Sequence, residues 1–356
     1  MSGATPKPQL PALQILRFLA AFTVVLFHVG SGLALEYPGI PNPFAFGYFG
    51  VDVFFVLSGF IMAYATNPDH GSLHFAVRRI ARIVPLYWFL TLALVVVAMA
   101  LPQLLNSTEV SAESLAKSLL FIPYEKPSGA MQPILFLGWT LCYEMFFYAI
   151  YCVALNAGRM TIPVVSATLL GVVVYGWIWP PDTPLGQFYT APILIEFILG
   201  MGLYSVYIRM RPVPTIFLSA AFAFAAASLY FLLAGHSRFI AVGLPAAAIV
   251  AAFLCLPYSS GRVTGQLVLL GNASYSLYLS HPYIIQLPIK VLSDRFSLPV
   301  TAVAASMAAV VAILVSVALF FLIEKPAQRA ILRRFSWVSD TGGHPARPAQ
   351  GAGNPP

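Results

Sequence analysis

The chain is 356 residues long, 59% hydrophobic and only 9% charged, with a mean hydropathy of +0.83. A water-soluble domain of this length carries roughly a quarter charged residues, so composition excludes an ordinary soluble enzyme. The net charge of +7 reflects topology rather than nucleic-acid binding, because the cations cluster between apolar runs.

Apolar runs of about 20 residues, each long enough to cross a hydrocarbon core of roughly 30 Å, recur along the chain. They cover residues 13–33, 48–66, 83–101, 134–155, 161–179, 187–207, 214–234, 239–257, 266–290 and 299–323. The pattern predicts an all-α, polytopic integral membrane helix bundle of about ten transmembrane helices; the ~10-residue alternating segments of a membrane β-barrel are absent. With the N-terminus inside, the cytoplasmic face takes Lys7, Arg17, Arg78, Arg79, Arg82, Arg159, Arg209, Arg211, Arg262, Lys325, Arg329, Arg333, Arg334 and Arg347. The outer face takes only Lys117, Lys126, Arg238, Lys290 and Arg295. That asymmetry follows the positive-inside rule and puts both termini in the cytoplasm.

The organisation is simple: a cytoplasmic segment 1–12, one membrane domain 13–335, and a Gly-, Pro- and Ala-rich tail 336–356 expected to be disordered. The first apolar run resembles a signal peptide in length, but His28 inside it and the weak small-residue pattern "GSGLALE" after it predict a retained helix. The outer loop 102–133 contains "STEVSAESLAKSLLFIPYE", read as a short amphipathic helix on the membrane surface. Cys142, Cys152 and Cys255 fall within spans, which predicts neither a disulfide nor a metal cluster. There is no internal repeat, Walker loop or GxSxG elbow, and "GMG" at 200–202 reads as close helix packing.

The informative residues are polar ones that lipid should exclude. Arg17 and His28 are 11 positions apart in "LRFLAAFTVVLFHVG", so on a helix they share a face. At 1.5 Å per residue His28 lies roughly 16 Å above Arg17, with the small residues Ala20, Ala21 and Val24 between them. "GWTLCYEMFFYAIY" aligns Thr140, Glu144, Tyr148 and Tyr151; "FGVDVFFVLSGF" carries Asp52, with Gly59 on the same face; "GNASYSLYLSHPYII" aligns Ser274, Tyr278 and His281. Facing lipid, such groups cost several kcal/mol each. One stripe fits a structural hydrogen bond between helices; four stripes converging inward predict a polar chamber. "RRIARIVPLYW" places Arg79 and Arg82 on one helix face. They serve as topology anchors, but paired guanidiniums also suit phosphate, and with Arg17 they form a cationic mouth for an anionic ligand.

These segments carry a family resemblance. "ILRFLAAFTVVLFHVG", "GYFGVDVFFVLSGFIM", "RRIARIVPLYW", "WTLCYEMFFY", "SYSLYLSHPYII" and "IEKPAQR" resemble, in order, the motifs of the acyltransferase-3 family of membrane acyltransferases over roughly residues 10–330. "WTLCYEMFFY" is most similar to the exopolysaccharide O-acetyltransferase branch of rhizobial type. The resemblance implies an acyl group, usually acetyl from cytoplasmic acetyl-CoA, delivered to a carbohydrate hydroxyl at or beyond the outer face of the bacterial inner membrane. It implies functional roles for Arg17, His28, Arg79, Arg82 and Glu144. Some members carry an appended esterase-like domain, which is not expected here.

The expected mechanism has Arg17, Arg79 and Arg82 holding the CoA phosphates while the pantetheine arm passes Ala20 and Ala21. His28 then acts as general base, or becomes transiently acylated, with Glu144 orienting its ring. Asp52, Tyr275, Tyr278 and His281 are assigned to the carbohydrate acceptor, with local capping or pairing as the alternative for Asp52. Expected partners are the lipid bilayer, the acceptor glycan and polysaccharide-assembly proteins; no metal and no nucleic acid are expected. Competing readings are a proton-coupled transporter or flippase, whose relays also use intramembrane His, Glu and Asp, and a noncatalytic partner of the polysaccharide machinery.

Overall fold

The computed structural model describes residues 10–101, 110–209, 224, 238–256 and 261–335. The expected span at 214–234 (Phe224 apart) and the tail 336–356 lie outside the described residues. The helices are α1 (Pro11–Glu36), α2 (Phe49–Ala65), α3 (Gly71–Ala100), α4 (Ala112–Leu119), α5 (Gly138–Ala154), α6 (Thr161–Ile178), α7 (Pro184–Tyr189), α8 (Ile195–Tyr207), α9 (Leu244–Leu254), α10 (Arg262–Asn272), α11 (Ser274–Ser293), α12 (Leu298–Leu319) and α13 (Lys325–Arg334). Among the described residues the one sheet is a small antiparallel pair, β1 (Tyr124–Glu125) and β2 (Met131–Gln132), with Tyr124 opposite Gln132. The protein is thus an all-α bundle.

Among the described residues six helical stretches are long and apolar enough to cross a membrane: Pro11–Glu36, Ala45–Ala65, Pro68–Ala100, Gly138–Ile178, Pro184–Tyr207 and Leu298–Arg334. The fourth is two helices in one: Gly158 adopts φ 55°, ψ −116°, a turn that separates α5 from α6. Three departures from the sequence reading matter for the site. First, α3 starts at Gly71, twelve residues before the expected span, so Arg78, Arg79 and Arg82 all ride on one continuous helix. Second, α12 does not stop at residue 323 but passes through a π-helical turn, Phe320–Glu324, into α13. Third, α11 is not among the six apolar stretches. Its Ser, Tyr, His and two internal prolines, Pro282 and Pro288, dilute its hydropathy, and Ser274 to Pro282 is buried without interruption. A helix buried all round is the centre of the bundle rather than its lipid-facing wall; α11 packs against α12, α1 and α3.

The amphipathic helix expected in the 102–133 loop is α4, entered through a reciprocal cap between Ser111 and Ser114. Tyr87 and Trp88 of α3 donate to the carbonyls of Ser118 and Leu119 at its end, each at 2.9 Å. The Ile134 amide donates to the Ser118 hydroxyl at 2.9 Å, so the loop is pinned beside the start of α5.

The scaffold of the site is the crossing of α2 with α8. Gly59 and Gly200 let the backbones meet: a Cβ on Gly59 would stand 2.1 Å from the Phe197 carbonyl oxygen, and one on Gly200 2.0 Å from that of Val56. Around this crossing Phe55, Phe197 and Phe147 form a continuous aromatic column, with ring centroids 5.1 and 4.3 Å apart. Gly202, by contrast, faces open space. The expected outcome is that Gly59→Ala lowers stability by about 3 kcal/mol or prevents folding, because backbone rather than a flexible side chain must yield. Gly202→Ala should be neutral. Thermal unfolding of detergent-purified protein checks both.

Candidate active site

Five helices turn polar side chains into one cavity. Its empty space, including the open mouth, is about 800 Å3, and its lining includes Arg17 of α1, Ser58 of α2, Arg79 and Arg82 of α3, Glu144 and Tyr148 of α5, and Tyr275 and Tyr278 of α11. The i, i+3 and i+4 spacings of these residues put each set on the inner stripe of its helix.

The cations are held differently. Arg82 is ion-paired with Glu324, which also accepts from the Ser276 hydroxyl at 2.6 Å. The Arg82 guanidinium lies 5.8 Å above the Tyr275 ring, and the Tyr275 hydroxyl donates to the Ile83 carbonyl at 2.8 Å. Arg79 is stacked instead, 5.8 Å over Phe75 and 5.9 Å over Tyr148, and its buried Nε makes no hydrogen bond. Glu144 accepts from Ser58 Oγ at 3.0 Å and from the Tyr148 hydroxyl. Arg17, Arg79 and Arg82 against Glu144 and Glu324 leave one positive charge in excess, which suits an anionic ligand.

The lining ends at Thr140 and Tyr278, whose hydroxyls are 3.1 Å apart, with the Phe54 ring 5.8 Å from that of Tyr278. His28 does not line this cavity; it lies past that bar, its ring 5.1 Å from that of His281 and flanked by Phe27 and Phe136. His28 therefore stands apart from the arginine cavity, rather than in the single chamber expected from the sequence. His28 Nδ1 is 2.9 Å from the Val24 carbonyl oxygen and 3.2 Å from His281 Nε2; His281 Nδ1 is 2.9 Å from the Leu277 carbonyl oxygen. A carbonyl only accepts, so both Nδ1 atoms carry hydrogen. His281 Nε2 is then a lone pair accepting from His28 Nδ1–H, and the unprotonated nitrogen of His28 is Nε2. An imidazole so held offers a base or nucleophile in an otherwise apolar surround.

Residues 10–324 match the family model described as an acyltransferase domain. The chain is 34% identical to the exopolysaccharide production protein ExoZ of Rhizobium meliloti (strain 1021), over 86% of this chain and 95% of ExoZ. It is 28% identical to the putative peptidoglycan O-acetyltransferase YrhL of Bacillus subtilis (strain 168), over 92% of this chain and 56% of YrhL. No solved structure matches. The chain belongs to the acyltransferase-3 family. It is a membrane acyltransferase.

In this acyltransferase three sequence expectations land elsewhere. Glu144 does not bond to His28: its Oε1 accepts from both Ser58 and Tyr148, and His281 occupies the place beside the His28 ring. Tyr275 is not grouped with His281, because it packs under Arg82 two helical turns away. Asp52 does not enter the cavity: it shares its helix face with Gly59, and that face meets α8. There Asp52 is fully buried, bound at both oxygens by Arg238 at 3.1 and 2.7 Å, with the buried carboxyl group of Glu196 beside it. The Arg238 guanidinium also lies 5.2 Å over the Tyr48 ring.

Glu324, Ser276, Ser58, Glu196 and Arg238 received no role from the sequence. Glu324 is a lone acid one residue past the expected span 299–323, in "IEKPAQR", and a π turn has no sequence pattern of its own to mark it. The Asp52 cluster generates a prediction. Arg238→Gln leaves a buried carboxylate without its counter-ion and should destabilise the acyltransferase by roughly 1–3 kcal/mol. Adding Asp52→Asn should return part of that loss, measured as melting temperatures of single and double variants.

Proposed function

We propose that this acyltransferase transfers an acetyl group from cytoplasmic acetyl-CoA to a hydroxyl of an exported carbohydrate, an exopolysaccharide or its membrane-bound precursor, at the bacterial inner membrane. The relationship to ExoZ over nearly all of that protein's length supports this acceptor class. The observation that carries the reading is the axial order of the site: guanidiniums from α1 and α3 around one cavity, and the His28 base further along α1.

Residues 13–335 form the membrane domain, with about ten spans and both termini cytoplasmic by the positive-inside pattern. Two sets of cations assigned inside by that pattern, Arg82 of α3 and the Lys325–Arg334 segment, adjoin each other through Glu324, which favours this orientation. Arg238, assigned outside, pairs with Asp52 near the opposite end of α2.

In the proposed reaction Arg17 and Arg79, with Arg82 once the donor competes with Glu324 for it, grip the phosphates of the donor. The pantetheine arm runs along the small residues of α1 past Tyr278, whose bond to Thr140 opens to admit it. His28 sits roughly 16 Å from the arginine level, a span that an extended pantetheine arm bridges. The acceptor hydroxyl gives its proton to His28 Nε2 as its oxygen attacks the thioester carbon. The C–O bond forms, the C–S bond breaks, and His28 returns the proton to the departing thiolate. The products are the carbohydrate ester and free CoA.

Deleting the gene should remove ester-linked acetyl groups from secreted or cell-surface glycan, read by NMR, and membranes should incorporate label from acetyl-CoA into glycan. In those membranes His28→Ala should abolish incorporation. Arg17→Ala or Arg79→Ala should raise KM for acetyl-CoA about 10–100-fold, the loss expected for one charge-assisted contact. Unchanged glycan esters after deletion would refute the acceptor class; unchanged KM in both arginine variants would refute the donor site.

A further inference from the structure

We infer that His281 is the positioning residue for His28: a neutral imidazole that orients the base and stabilises its charge as the charge forms. The inference rests on the reading of His28 as the base.

His281 is fully buried on the interior helix α11. Its Nδ1–H is committed to the carbonyl of Leu277, one turn back on the same helix at 2.9 Å. That bond fixes the tautomer and aims the Nε2 lone pair across the helix interface at His28 Nδ1, 3.2 Å away. The His28 ring is thereby held from two sides, by Val24 of its own helix and by His281 of another.

The choice of a neutral partner has a chemical consequence. When His28 takes the hydroxyl proton at Nε2, the positive charge spreads over a ring whose Nδ1–H already points at two acceptors, the Val24 carbonyl and His281 Nε2. Those dipoles are in place before the reaction, so little reorganisation accompanies charge formation. A carboxylate at the same position would bring a further buried charge into an apolar site, whereas His281 supplies the acceptor without one. Among the described residues no carboxylate is hydrogen-bonded or ion-paired to either ring. His281 stabilises the imidazolium only when it appears, which lowers the barrier rather than the ground state.

The test uses two substitutions of nearly equal shape. His281→Gln keeps an oxygen that accepts from His28 Nδ1–H; His281→Met fills similar space without a strong acceptor. Purified full-length protein is assayed with labelled acetyl-CoA and alkali-deacetylated cell-surface glycan, with rates taken per mole of monodisperse enzyme. The expected result is that His281→Met loses about 100-fold in kcat, the scale of a lost partner to a reacting group. KM for acetyl-CoA should be unchanged, and His281→Gln should remain within about tenfold of the unmodified protein. Equal losses in both variants, a loss confined to KM, or a His281→Met enzyme with full kcat would each overturn the inference. Activity surviving in His28→Ala would instead overturn the underlying assignment of the base, whatever the His281 variants do.

Discussion

A charged side chain inside an apolar bundle must find its partner within the bundle, and that constraint arranges this molecule. An unpaired charge at membrane depth costs several kcal/mol, so each intramembrane carboxylate ties helices together. Glu324 joins the end of α12 to α3 through Arg82 and to α11 through Ser276. Asp52 joins α2 to Arg238, just ahead of α9, and to α8 through Glu196. Among the described residues neither histidine takes part in an ion pair: His28 and His281 meet each other instead, with Phe27 beside His28 packed on Tyr48 ahead of α2.

Much of this was legible because helical geometry is periodic. The shared face of Arg17 and His28, the Thr140–Glu144–Tyr148 stripe and the pairing of Arg79 with Arg82 follow from counting residues at 100° each, and all of these but His28 line one cavity. Gly59 marked the face on which Asp52 meets α8, a clue to local pairing rather than ligand contact. What the sequence did not convey was register between helices. His28 and His281 are 253 positions apart, and nothing local distinguishes His281 from Glu144 as the partner of the imidazole. Only the relative height of α1, α5 and α11 decides it, and that height is set by packing along whole helices.

Irregular backbone supplies the remaining information. The π turn at Phe320–Glu324 adds a residue to one turn just where Glu324 meets Arg82. Pro282, next to His281, removes an amide donor from the α11 ladder and frees the Tyr278 carbonyl from its usual partner. Both departures from ideal helix fall beside residues of the site.

The separation of the histidine pair from the arginine cavity has its own logic. Holding a polyanionic donor needs fixed positive charge, and fixed charge attracts water. Thioester transfer to a carbohydrate needs water kept away, because water is a competing nucleophile. Thr140, Tyr278 and the Phe54 ring line the arginine cavity, and His28 does not. One hydrogen bond between two hydroxyls is weak, at about 1 kcal/mol net, so in the proposed reaction a pantetheine arm would displace it and fill the gap. The donor would then become its own plug, and the reacting carbon would meet the imidazole in a space closed on the charged side by the rest of the same molecule.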